Sequence, residues 1–199
     1  EILRKVGVCS EKLLADDARA KLKNVVESGL RSGVLEALAI LLPERHGVEL
    51  FEFCNDDLCS EMARCFIESI PWRRTARLSE GTVSFIEQFI LKDGELSILF
   101  VSRLLDVSLW PDNGINASYM HELLLGMNPQ ARDALWSWVM LRNGRIERTI
   151  NWVWRNAKRI PHQSIELAEL LLGWCTSTSC RQIRDTATKA LSCCLIEDP

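Results

Sequence analysis

Trp152 is bracketed by two guanidinium groups, Arg148 at i−4 and Arg155 at i+3. Residues three and four apart share a helix face, so a helical reading puts an indole between two cations, with Arg145 three residues before Arg148. An indole flanked by guanidinium groups can stack a base or a partner's side chain. The local charge agrees. From 134 to 165 the basic residues are Arg142, Arg145, Arg148, Arg155, Lys158 and Arg159, and Glu147 is the only acid. Arg145, Arg148, Trp152 and Arg155 are therefore the candidate partner-binding residues. The competing reading packs Trp152 against a neighbouring repeat and leaves the arginines as a solvated face.

Other reactive residue types form no constellation. His46, His121 and His162 are scattered and read as surface or capping residues. Asp16-Asp17 and Asp56-Asp57 are adjacent pairs, and sequence neighbours do not share a helix face. No G-x-x-x-x-G-K-[ST] phosphate loop occurs, and none of the ten glycines precedes a lysine. Neither G-x-S-x-G nor H-E-x-x-H is present. The eight cysteines, Cys9, Cys54, Cys59, Cys65, Cys175, Cys180, Cys193 and Cys194, include no C-x-x-C pair. They fall mostly within helical apolar patterns and read as buried, reduced thiols of a cytoplasmic protein. Zinc held by Cys54, Cys59, Cys65 and a histidine would need spacings that match no common site. No catalytic, cofactor-binding or metal-binding residue is assigned.

The elements that must position the Trp152 cluster are helices. Asn128 caps a helix with Pro129 at its first position, where a missing N–H costs nothing. Asn143-Gly144 breaks that helix in a left-handed turn. The next helix carries Ile146, Ile150, Val153, Trp154 and Ala157, an apolar stripe at i, i+4, i+7, i+8 and i+11. That stripe makes Trp154 a core residue and Trp152 a surface one. Upstream, Ser10 caps a helix over 11–30, and 34–42 forms an inner helix ended by Pro43. A short helical piece over 48–54 follows, then a helix over 56–70 capped by Asn55, with Leu58, Met62, Cys65, Phe66 and Ser69 inward. A loop over 71–78 holds Trp72, Arg73, Arg74 and Arg77. Ser79 caps a helix with Val83, Ile86 and Ile90 on its face; the helix over 95–106 is apolar around most of its circumference. Asn116 caps 117–125, Pro161 precedes 164–175, and Ser179 caps 181–195, whose stripe is Ile183, Ala187, Ala190, Leu191 and Cys194. Asp185 and Lys189 stand at i and i+4, spaced to pair.

No strand pattern survives the near-3.6 periodicity. Helices come in pairs spaced roughly 30–40 residues apart, the mark of a helical solenoid. The fold expected is all-α: an irregular helical-hairpin solenoid, a HEAT/TPR-like right-handed α–α superhelix. It is expected as a single helical repeat domain over 1–199, with 1–78 and 79–199 as the alternative subdivision. A compact helical bundle is the competing architecture. The net charge of −3 over 199 residues implies no global attraction to nucleic acid or anionic membrane. No apolar run reaches the ~18–20 residues that span a bilayer, so no membrane partner is expected. The chain starts at Glu1 without an initiator Met or signal-peptide pattern and ends abruptly at Pro199, which suggests a fragment of a larger protein.

Five segments, taken in order, resemble a known family. They are EALAILLPERHGVELF at 36–51, FIESIPWR at 66–73, NASYMH at 116–121, RDALWS at 132–137 and IRDTATKAL at 183–191. Together they are similar to the helical region of large bacterial P-loop ATPases of the STAND/NACHT type, many of which act in anti-phage defence. Gln182 and Cys180 depart from the family pattern around the last segment. The resemblance implies an upstream effector and a nucleotide-binding domain, with ATP bound by the parent protein only. This part would be a non-catalytic sensing or regulatory module. Its partners would be a protein ligand, such as a phage protein, and other domains of the parent chain. A HEAT-like scaffold or adaptor without an ATPase is the alternative, and a nucleic-acid-binding helical repeat the third reading.

Overall fold

A computed structural model describes residues 32–53, 59–74, 78–142 and 144–197. The expected helix over 11–30 with its Ser10 cap, the Asn55 cap, Leu58 and Asn143 lie outside the described residues. Within them the chain is all-helical, with nine α-helices and no strand. The chain divides into two compact units, residues up to Leu96 and Ser97–Pro199.

In the first unit, α1 (Ser32–His46) packs against α2 (Cys59–Ser69) and the 3-10 turn Leu50–Phe53. Leu35, Leu38, Ala39, Leu42, Leu50, Met62 and Cys65 form a shared core. Pro43 does not end α1; the helix runs through it to His46. A helical proline deprives the carbonyl four residues back of its donor. Here that carbonyl belongs to Ala39, and Arg73 Nη2 donates to it at 3.1 Å. The chain turns at Gly47, whose φ of 64° suits a residue without Cβ.

Arg73 lies in the expected loop, just after the 3-10 turn Ile70–Trp72, yet is only 3% exposed. Its Nη1 and Nη2 donate to both oxygens of buried Glu49 at 2.6 and 2.9 Å, and its Nε donates to Ser69 Oγ at 2.8 Å. Its guanidinium lies 4.4 Å from the centroid of the Phe66 ring. Arg74 N donates to Glu44 Oε1 at 2.6 Å. Segments 36–51 and 66–73 thus meet through Arg73 on Glu49 and on the Ala39 carbonyl.

Ser79 Oγ accepts from Thr82 N at 3.0 Å and opens α3 (Glu80–Phe85), which continues as a π-turn over Ile86–Ile90. Leu91 N donating to Ile86 O at 2.9 Å closes that wider turn. Ile86 and Ile90 are buried and Val83 half-buried. Phe85 stacks on Phe51 at 4.0 Å and on Phe89 at 5.6 Å.

Asp93 caps α4 (Gly94–Val107) by accepting from Glu95 N and Leu96 N, and the boundary between units falls after Leu96. In the second unit α4 buries Phe100, Val101, Leu104, Leu105 and Val107, but Ile98 and Leu99 are only half-buried, so its apolar circumference is less complete than expected. Asn116 Oδ1 accepts from Ser118 N and caps α5 (Ala117–Gly126). Asn128 Oδ1 accepts from Gln130 N at the start of α6 (Pro129–Arg142), with Pro129 first as expected. Gly144 opens α7 (Gly144–Asn156) without a positive φ. The 3-10 turn Ala157–Arg159 leads to α8 (His162–Thr176) and then α9 (Arg181–Glu197). At the start of α9 it is Thr178 Oγ1, not Ser179, that accepts a nearby N–H, from Cys180 at 3.3 Å. Asp185 pairs with Arg181 at i−4 and with Arg184, rather than with Lys189.

Helix α8 packs on α9 and α5, and α9 also packs on α7. Ile183, Ala187, Ala190 and Cys194 of α9 are buried, with Leu191 half-buried. Two indoles tie the layers together. Trp136 Nε1 donates to Trp174 O, and Trp174 Nε1 donates to His121 Nδ1, both at 3.1 Å.

Candidate functional site

The stripe of α7 decides where its indoles go. At about 100° per residue, Ile150, Val153 and Ala157 fall within about 40° of Ile146, and all four side chains are buried. Trp154 falls about 80° from Ile146, at the stripe's edge, and is 44% exposed. The expectation of a buried Trp154 is thus corrected: four smaller side chains fill the seam, and a flanking indole finds no room in it. Trp152 points away from the core, as expected, and is 49% exposed.

Arg145, Arg148 and Trp152 line one cavity of about 590 Å³, with Thr149 between them on α7. Arg155 is exposed but is not part of that lining. The second wall is the end of α4, Leu105 and Asp106, with Ser108, Leu109 and Trp110 just beyond it. The third is Ile160, Pro161 and Ser164 at the start of α8. Trp110 is 49% exposed. The loop after α4 holds its shape through local bonds: Ala117 N donates to Ser108 O at 2.9 Å, and Ile115 N to Asn113 Oδ1 at 2.9 Å. Proline at 161 stands at the N-cap of α8, where no side chain caps the helix.

Charge in the cavity is unevenly committed. Arg145 Nη1 donates to Asp106 Oδ2, which also accepts from Arg103 Nη1 at 3.3 Å. Arg148 makes no ion pair among the described residues. Sequence spacing pointed to the α7 side of this cavity. It did not point to Asp106, Trp110 or Pro161, which lie some 40 residues before or a turn after α7 in sequence and reach the cavity only through tertiary packing.

The remaining reactive groups sit in structural settings. Cys65, Cys175 and Cys194 are buried thiols, and Cys180 and Cys193 half-buried ones. Burial pushes the Cys175 thiol up to about 12 and raises that of Cys194 as well, the reverse of what a nucleophile or metal ligand needs. The side chains of Cys9, Cys54 and Cys59 lie outside the described residues. His162 Nδ1 lies 3.7 Å from Glu166 on the surface of α8. Among the described residues no three His, Cys, Asp or Glu side chains converge on a metal position, and no helix is long and apolar enough to cross a membrane. No family model, curated protein or solved structure matches the chain significantly.

Proposed function

We propose that this chain is a non-catalytic protein-interaction module with a sensing or regulatory role, an irregular helical-hairpin solenoid within a larger STAND-type ATPase of bacterial defence. The observation that carries the interaction reading is the cavity of the second unit, where two half-open indoles, Trp110 and Trp152, stand beside Arg145 and Arg148. Tryptophan and arginine are the residue types that most often anchor protein interfaces. Packing of α9 on both α8 and α7 supports a repeat arrangement, since each helix of a solenoid contacts neighbours along the array. The link to an ATPase rests on the ordered segments that resemble the family.

In this reading the module binds a protein ligand, such as a phage protein, and other domains of the parent chain, in the cytoplasm. ATP binds the parent's nucleotide domain. Ligand binding triggers the ATPase only if it favours the active state over the resting one. The test is ATP hydrolysis by the full-length parent protein, with and without residues 97–199. A changed basal rate, or a lost response to ligand, is the expected result. A parent that hydrolyses no ATP replaces this reading with that of a scaffold or adaptor.

A further inference from the structure

The uneven charge of the second-unit cavity narrows what it can hold; the inference that follows rests on the interaction reading above and names the partner's chemistry. Asp106 already occupies Arg145, whereas Arg148 is exposed and without an ion pair among the described residues. A guanidinium offers two parallel N–H donors, the geometry that matches one carboxylate. Beside it the surface is apolar: Trp152 and Trp110 are open to solvent, and Leu109, Ile160 and Pro161 complete the walls. Rings packed on indole faces gain contact area at little entropic cost. With Asp106 holding Arg145 and Arg103, one uncommitted guanidinium remains in the lining, enough for a single carboxylate and not for a run of phosphates. The volume of about 590 Å³ lies within the range of ordinary ligand sites.

We infer that the cavity docks an acidic peptide segment of a partner protein, with an Asp or Glu carboxylate on Arg148 and a neighbouring proline or aromatic ring against Trp152 and Trp110. The complement is local, one charge and one ring. The docking segment is therefore short and read by composition at two adjacent positions.

The experiment is a positional-scanning array of decapeptides probed with the full chain, followed by titration of the strongest peptide by fluorescence polarisation. The array is expected to select Asp or Glu next to Pro, Phe, Tyr or Trp. Arg148→Glu is expected to weaken that peptide about tenfold or more, the size of one charged hydrogen-bonded contact, and to strengthen its lysine counterpart. Trp152→Ala weakens it by about the same factor, while Trp154→Ala, an exposed indole of α7 outside the lining, leaves it unchanged. Unchanged circular dichroism and melting of these surface variants shows that binding, not folding, has been altered. An array that selects nothing, or selects basic or purely apolar peptides, overturns the inference, as does an affinity indifferent to Arg148→Glu. A single-stranded oligonucleotide that binds more tightly than the peptide through Arg148, with steep salt dependence, overturns it in favour of nucleic acid. A positive array with ATP hydrolysis and its response to ligand unchanged on deletion keeps the docking site and removes the regulatory reading.

Discussion

A guanidinium group shielded from water must place its N–H groups on protein acceptors, and Arg73 does so with Glu49, Ser69 and the Ala39 carbonyl. Removing one partner of such a pair leaves the other charge buried and unpaired. Arg73→Met is therefore expected to cost on the order of 3–5 kcal/mol in urea unfolding, and Arg73→Met with Glu49→Leu to recover most of it. A double variant as unstable as Arg73→Met alone would mean that Arg73 acts through shape rather than charge. Cys175 poses a different question at the same scale. Its thiol, raised to about 12 from an ordinary value of 9.0, keeps its proton in the fold after the unfolded chain has released its own. Stability from this group is complete below about pH 9 and declines as pH rises towards 12. The thermal midpoint should fall more steeply over that range in the wild type than in Cys175→Ala. Parallel slopes would show that the thiol is not the group responsible.

At the scale of the element, α7 and α1 each depart from a pattern that was simple in sequence. Along α7 and into the 3-10 turn after it the buried seam is Ile146, Ile150, Val153 and Ala157, and Trp154 stands beside it. Val153→Ala is expected to cost about 1.5–3 kcal/mol, the transfer and cavity terms of a buried aliphatic. Trp154→Ala is expected to cost less than about 1 kcal/mol, as for a surface substitution. The reverse order would put the helix in a different rotational phase. In α1 the helix survives Pro43 because a donor arrives from 34 residues away in sequence. Pro43→Ala restores a local N–H for Ala39 O. It should stabilise the Arg73→Met variant by about 1 kcal/mol and the wild type by less, since there the carbonyl already has its donor.

Across the whole molecule, thiol exposure gives a readout of folding in the second unit. Cys180 and Cys193 are half-buried, and Cys175 and Cys194 are closed to solvent. Of these four, alkylation of the native protein is expected to reach Cys180 and Cys193 first. Cys175 and Cys194 should react only as the unit opens, at a rate that follows denaturant. Early labelling of Cys175 would mean that the packing of α8 on α9 opens locally.

What could be read along the chain was what depends on local spacing. The helical class, the caps at Ser79, Asn116 and Asn128, the exposure of Trp152 and the burial of Ile146, Ile150 and Val153 follow from side-chain oxygens near free N–H groups and from a 3.6-residue period. What only the tertiary structure decided involves groups distant in sequence. A proline kept within a helix, an arginine buried in a core, and an indole and a carboxylate at and just beyond the end of α4 facing α7 each depend on a partner 24 or more residues away. Periodicity gives the direction a side chain leaves its helix. It carries no information about which other element supplies the matching acceptor, donor or wall, because that choice belongs to packing.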